Sequence, residues 1–391
     1  MKATISILAL LAGMPLWGQN NVNPVLAAVE ENNTTLKAFR QTVEAQKLEN
    51  KTGIYLAGPE ADFGYLWGNP GEIGNRTDIS VRQTFDIPTI TGMKSKLANG
   101  QNGLLDIRYK TERMNILLEA KQYCLDLIYY NALRKELDVR LQHAETIARG
   151  YQSRLERGDA SRLEYNKAQL NLSSVRGEAS RVDAERHALL LQLKRLNGGN
   201  EVAFDDYLFA PAELPLDFDQ WYATASQKNP ELAYVKGEAG LGKTQISVSK
   251  AMGLPSFSAG YMGEKVVGQH YQGVSVGVSI PLWENRNRVK QAKMAMQAAE
   301  SRVIDSNLQL YGNLQLLHKR ALGLKVTAET YQHALSVANN TDLLKKALDS
   351  GDISLLDYVL EVGLYYHMAN QALEAERDFQ KAFSELTAAD L

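Results

Sequence analysis

The chain has 391 residues, enough for two or three ordinary domains. It is 45% hydrophobic and 23% charged, a balance that excludes wholesale disorder. A net charge of -2 excludes the basic balance of a nucleic-acid binder, and the single cysteine, Cys124, excludes a disulfide framework or a cysteine-ligated metal cluster.

Residues 1–19 read as a secretory signal peptide. Lys2 precedes the apolar run Ile5 to Leu11, and Gly13, Pro15 and Leu16-Trp17-Gly18-Gln19 follow it. Cleavage is expected near Gly18 or Gln19. The run is too short to cross a bilayer as a helix. No cysteine follows the cleavage point, so no lipid anchor is expected at the mature N-terminus. No later stretch reaches about 18 uninterrupted apolar residues, so any passage through a membrane must use strands.

The rest of the chain is written twice. Asn33-Thr34-Thr35-Leu36 matches Asn229-Pro230-Glu231-Leu232, Pro59 matches Pro255, and Gly64-Tyr65 matches Gly260-Tyr261, all at an offset of 196 (Pro59 to Pro255). Further on the offset is 193 (Pro88 to Pro281). There Ile87-Pro88 matches Ile280-Pro281, and Gly158-Asp159-Ala160-Ser161-Arg162-Leu163-Glu164-Tyr165 matches Gly351-Asp352-Ile353-Ser354-Leu355-Leu356-Asp357-Tyr358. Matches in one order at nearly one offset predict a tandem duplication of roughly 175 residues per half, far longer than a solenoid repeat. The expected division is a first repeat over 20–200, a linker over 201–216 and a second repeat over 217–391.

Each half reads helix, strand, strand, very long helix, shorter helix. Between Pro59 and Pro88 the period becomes two: Ile79, Val81, Phe85 and Ile87 alternate with polar residues, as do Val274, Val276, Val278 and Ile280 in the second half. The partner strands carry Phe63, Tyr65 and Trp67, then Phe257, Ala259 and Tyr261. One apolar and one polar face over about ten residues suits a membrane strand, with these two sets facing lipid. The same pattern fits an amphipathic hairpin on a soluble core. From about Thr91 to Arg157 no proline interrupts, and about 66 helical residues would reach roughly 100 Å. The helices before and after it, summing to nearly that length, are expected to stack end to end along it. Heptad seams run through Val175, Ala179, Val182, Leu189, Leu193 and Leu196, and through Met368, Ala372, Ala375, Phe379, Ala382 and Leu386. Cys124, in an apolar run, reads as a small buried hydrophobe.

Gly158 and Gly351 suit the left-handed position that ends a helix. Ser161 with Glu164, and Ser354 with Asp357, have capping-box spacing. Gly237 to Thr244 fits the phosphate-cradling G-x-x-x-x-G-K-S/T pattern, but no strand precedes it and its counterpart, Gln41 to Leu48, reads as plain helix. His143, His187, His270, His318, His333 and His367 are scattered without metal-ligand spacing. No nucleophile motif appears. No catalytic residue, metal or cofactor is expected, and the chain does not read as an enzyme.

Four strands cannot close a barrel, and open edges are not tolerated in hydrocarbon, so copies must pool strands. Two copies give eight and three give twelve, both even as in bacterial barrels. At this point the sequence resembles the TolC-like outer-membrane efflux proteins. The resemblance rests on Asn229-Pro230-Glu231-Leu232 opening a helix that ends at Leu254-Pro255, on the strand from Ser275 to Pro281, and on the paired G-D-x-S-x-L-x-Y turns. It implies a mainly α fold with a small β part: tandem-duplicated long helical hairpins plus four membrane β-strands, closed as a trimeric α/β-barrel channel. It implies a homotrimer in outer-membrane lipid with a long periplasmic part, a periplasmic adaptor protein and an inner-membrane pump of the RND type. Gly158, Asp159, Ala160, Ser161, Gly351, Asp352, Ile353 and Ser354 would form the adaptor-docking tip. The segment Ser80 to Pro88, with Gly92 and Lys94, resembles most the branch serving heavy-metal cation pumps, many of whose members are lipidated, which this chain is not expected to be. A passive conduit for metal cations or drugs is the expected function. A soluble periplasmic coiled-coil adaptor and a nucleotide-binding enzyme are the alternatives.

Overall fold

The computed structural model describes residues 21–69, 73–283, 285–338 and 340–391; the predicted signal peptide lies outside the described residues. In the first half, α1 (Val22–Asn32) and α2 (Thr34–Glu49) lead to β1 (Glu60–Leu66), β2 (Arg76–Phe85), α3 (Pro88–Glu156) and α4 (Arg162–Leu196). The second half repeats this order with α5 (Phe218–Lys228), α6 (Pro230–Ala251), β3 (Ser256–Val266), β4 (Gln269–Ser279), α7 (Arg288–Val337), α8 (Thr341–Ser350) and α9 (Leu355–Leu386).

Three features depart from the sequence reading. Before each strand pair stand two helices: the second begins after Asn229, where the sequence reading opens a helix, and likewise after Asn33, where it does not. Each asparagine is an N-cap whose side chain accepts the N–H of Leu36 or Leu232 at 2.9 Å, a local bond that outcompetes helix continuity. Secondly, α3 starts at Pro88, where a missing N–H costs nothing, but α7 starts seven residues beyond Pro281, after Asn287 in left-handed geometry (φ 68°). Thirdly, the second long helix is not continuous: α7 stops at Val337 and α8 resumes at Thr341.

The phosphate-loop lookalike lies wholly within α6 and is helical. Its glycines are notches for neighbours. A Cβ on Gly237 would come within 2.6 Å of Leu104 Cδ2, and one on Gly242 within 2.7 Å of Met296 Cγ, so α3 and α7 approach α6 closely here.

The shorter helices of the first half, α1 and α2 on one side of the junction and α4 on the other, stack along α3 as expected. Towards the sheet, α2 is held by Asn50 to Asn102 (2.9 Å) and Lys47 to Asp106 (2.6 Å). Away from it, α4 is held by Arg134 to Asp183 (3.0 Å) and Arg176 to Glu145 (2.9 Å). Where they meet, Asn33 Nδ2 donates to the Leu196 carbonyl at 2.8 Å and Asn32 Nδ2 to Asn197 Oδ1 at 3.0 Å. The helices form one layer in the order α2–α3–α6–α7 near the sheet and α4–α3–α9–α7 beyond it.

Packing follows the heptad seams. Ala179, Val182, Leu193 and Leu196 are buried on α4, and Ala372, Ala375, Phe379, Ala382 and Leu386 on α9; Val175, Leu189 and Met368 are half-buried. Cys124 is fully buried, and burial pushes its thiol up to about 12, which leaves it inert. The two halves are joined by Lys381 to Asp126 (2.7 Å) and by Gln122 Nε2 donating to Ser384 Oγ (2.8 Å). Within the segment between α4 and α5, the Asp206, Ala210 and Pro215 carbonyls meet Asn131, Gln380 and His318 at 2.9, 2.9 and 2.7 Å, strapping α3, α9 and α7 together.

Asn33 and Asn229 test this reading of the breaks. Asn229→Ala removes a cap and should cost about 1 kcal/mol. Asn33 is 3% exposed and also donates to Leu196, so Asn33→Ala should cost about 2–3 kcal/mol. Urea-unfolding midpoints of the two variants measure the difference; equal shifts would remove the distinction.

Candidate functional site

The strands form one antiparallel meander, β1-β2-β3-β4, with β1 and β4 at its open edges. Its register decides what each face carries. Phe63 pairs with Ile79, Val81 with Tyr261, Phe85 with Phe257, Tyr261 with Val274 and Phe257 with Val278. All of these lie on one face, and they are exposed. Val274 and Val276 are 85% and 80% exposed, an apolar area that a single water-soluble chain would not leave open.

The opposite face is mostly polar or small, with Asp62, Asp78, Ser80 and Arg82, then Ser258, Gly260, Ser275 and Gly277, although Leu66, Met262, Val266 and Tyr271 share it. Ser258, Gly260, Ser275 and Gly277 are half-buried, as on the inner side of a curled sheet. A Cβ on Gly260 would meet the Val81 carbonyl at 2.5 Å, so glycine is required there. Arg76 Nε bridges Asp78 (2.8 Å) on its own strand and Glu264 (3.2 Å) on β3.

Six of the eight strand positions singled out from the sequence lie in strands on the apolar face. Ile87 and Ile280 do not: β2 ends at Phe85 and Ile87 is the N-cap of α3, while β4 ends at Ser279. Both precede prolines, which have no N–H for a ladder, so pairing stops there. Trp67 likewise lies one residue past β1. Aromatic side chains mark both ends of the sheet. Trp67 and Trp283, each 79% exposed, flank opposite ends, with Tyr65 near one and Phe85 and Phe257 at the other. The ten residues of β2, at about 3.3 Å each, would span about 25 Å at the tilt of about 40° that strands take in a membrane barrel, which is the height of such a barrel's apolar band.

The second cluster lies at the far ends of the helices. Gly158 and Gly351 adopt φ of 79° and 84°, and the N–H of Asp159 and of Asp352 reaches back five residues to the Arg154 and Ala347 carbonyls at 2.8 and 2.9 Å. Both capping boxes are present. The Ser161 N–H and hydroxyl hold the Glu164 carboxylate below its usual range. Ala160 and Ile353 are not free surface. They are half-buried and pack against a cluster containing Tyr151, Leu172, Leu348 and Tyr358, which joins the α3–α4 and α8–α9 hairpins. Asp159 and Asp352 are exposed, and Asp159 pairs with the exposed Arg157 at 3.2 Å.

The Arg76 bridge across strands and the buried Arg140, which packs 4.2 Å from the Tyr366 ring and donates to Asn370 at 2.9 Å, were not visible in the sequence. Both depend on register between segments far apart in the chain. Among the described residues no group of three or more His, Cys, Asp or Glu is placed to hold a metal, and no helix is long and apolar enough to cross a membrane.

No protein-family model matches the chain, and no curated protein sequence matches it. Solved structures do. The Campylobacter jejuni CmeC outer membrane channel superposes with a TM-score of 0.77 at 15% identity, over 95% of this chain and 85% of that one. CusC, studied for folding and transmembrane channel formation, gives 0.75 at 12% identity over 94% and 92%. The VceC outer membrane protein of Vibrio cholerae gives 0.74 at 10% identity over 94% and 96%. The fold is therefore that of these outer membrane proteins: long helical hairpins carrying a four-stranded sheet.

The tip packing makes a prediction. Ile353→Ala opens a half-buried contact and should cost about 1–2 kcal/mol, whereas Asp352→Arg, on the surface, should stay within about 0.5 kcal/mol. Thermal unfolding of both variants decides, and an inert Ile353→Ala would contradict the packing.

Proposed function

We propose that the chain is one subunit of a TolC-like outer-membrane efflux channel. In this reading three copies pool twelve strands into one barrel, and their helices continue it as a hollow periplasmic cylinder. One observation carries the proposal: an exposed apolar sheet face of bilayer height, with open edges, sits directly on long helices, the longest of which, α3, reaches about 100 Å. A soluble coiled-coil adaptor has no use for such a face. The fold shared with solved outer membrane channels supports the same reading.

The conduit is passive. Solutes would enter through the far opening, handed on by an inner-membrane pump of the RND type through a periplasmic adaptor. The exposed carboxylates Asp159 and Asp352, repeated around a trimer, give six similar turns for a ring of adaptor hairpins. Gly158, Ser161, Gly351 and Ser354 fix the shape of those turns; Ala160 and Ile353 seat them. Small toxic solutes are the proposed cargo, with metal cations ahead of drugs on the likeness of the segment before Pro88 to the heavy-metal branch.

A deletion strain complemented with variants tests the proposal. Val276→Arg places a charge on the lipid face, costs roughly 2–4 kcal/mol at mid-bilayer, and should abolish oligomer in the membrane fraction. Ser275→Arg points inward and should assemble. Asp159→Arg with Asp352→Arg should assemble and yet fail to restore export. Sensitivity of the strain to copper, zinc and cobalt, compared with a drug panel, reads the cargo. Equal assembly of the two arginine strand variants would overturn the facing, and full export by the tip variant would overturn docking there.

A further inference from the structure

The periplasmic end of the sheet carries a recess that the conduit does not use. It measures about 580 Å³ and is lined almost wholly by apolar groups: Leu56, Phe85, Ile87, Pro88, Thr91 and Phe257. Phe85 and Phe257 pair across strands and are the last members of the outward apolar face, so the recess continues that face at its rim. Asp86 lines it too, and the Lys94 ammonium lies 3.0 Å from the Asp86 carboxylate. Lys94 follows Thr91 by three residues on α3, hence on the same helix face. An ammonium has three donors, and Asp86 takes one.

The charge around this rim is one-sided. Lys51, Lys96, Lys250, Arg286 and Arg288 are exposed within about three helical turns of the strand ends, on the four segments that enter or leave the sheet. The described acids there are Glu49, Glu60 and Asp86, in a chain whose overall charge is -2. A basic collar just outside an apolar band complements anionic headgroups.

We propose that this rim binds an anionic glycerophospholipid of the periplasm-facing leaflet, with its acyl end against Leu56, Phe85 and Phe257 and its phosphate on Lys94. The inference rests on the membrane reading above and adds a specific lipid to it. Asp86 competes with the phosphate for Lys94 and so limits affinity; the remaining basic residues supply the longer-range attraction.

The test uses the full-length oligomer in detergent, titrated with phosphatidylglycerol and with phosphatidylcholine and read by native mass spectrometry. Phosphatidylglycerol should be retained about tenfold more strongly, the order expected for one or two phosphate-facing cations. Lys94→Gln should remove most of that preference, Asp86→Asn should raise it, and Thr91→Trp, which fills the recess, should lower lipid retention with oligomer mass unchanged. Equal retention of the two lipids, or a preference untouched by both Lys94→Gln and Thr91→Trp, overturns the inference. Insertion into phosphatidylcholine vesicles separates the two levels. A pore there without phosphatidylglycerol preference overturns the lipid site alone, and a chain that inserts into no vesicle overturns the membrane reading and the lipid site with it.

Discussion

An unpaired backbone N–H or C=O costs several kcal/mol in hydrocarbon, and this sheet has two open edges, β1 and β4. Its apolar face is of bilayer height, so the edges would lie in lipid along their length. A second hairpin within the chain could have covered them, but among the described residues the other elements are helices. In the proposed channel other copies of the chain would close the edges, and that requirement would set the oligomer and its pore.

The helices obey the same geometry. Near the sheet the layer runs α2–α3–α6–α7, and beyond it α4–α3–α9–α7. One side of the molecule is therefore α2, β1 and α4, all from the first half. The other is β4 and α7, from the second. An interface of first-half edge against second-half edge is head-to-tail, and head-to-tail contacts form a ring when the rotation closes. A tandem duplication would suit such a ring, because the contact between copies would resemble the contact between halves. Internally that contact is fastened by β2 against β3, by Asp126 with Lys381, and by Arg140 with Asn370.

Much of this was legible because it is local. Period-two alternation located the strands, glycine and serine spacing located the hairpin turns, and the 4–3 steps of Ala372, Ala375, Phe379 and Ala382 located the seam. Asn229, followed by proline, was read as a helix start, but its match Asn33 was seen only as a repeat, since a cap inside an apolar-periodic stretch looks like an ordinary polar residue. The strand ends were overrun at Ile87 and Ile280, where the apolar alternation continues past the last ladder bond. The interruption between Val337 and Thr341 has no proline or glycine to announce it. Ala160 and Ile353 looked like free turn residues because their burial comes from the packing of two hairpins about 190 residues apart, which no local pattern encodes.

The central claim is that β1 of one copy pairs with β4 of the next, and disulfide trapping measures it directly. A cysteine placed along 60–66 is combined in turn with one along 269–279, and the oxidised membranes are run on denaturing gels. The account predicts that some register gives covalent dimers and trimers and nothing larger, with single-cysteine controls staying monomeric. A ladder that climbs past three, or no crosslink at any register in a folded protein, would contradict it.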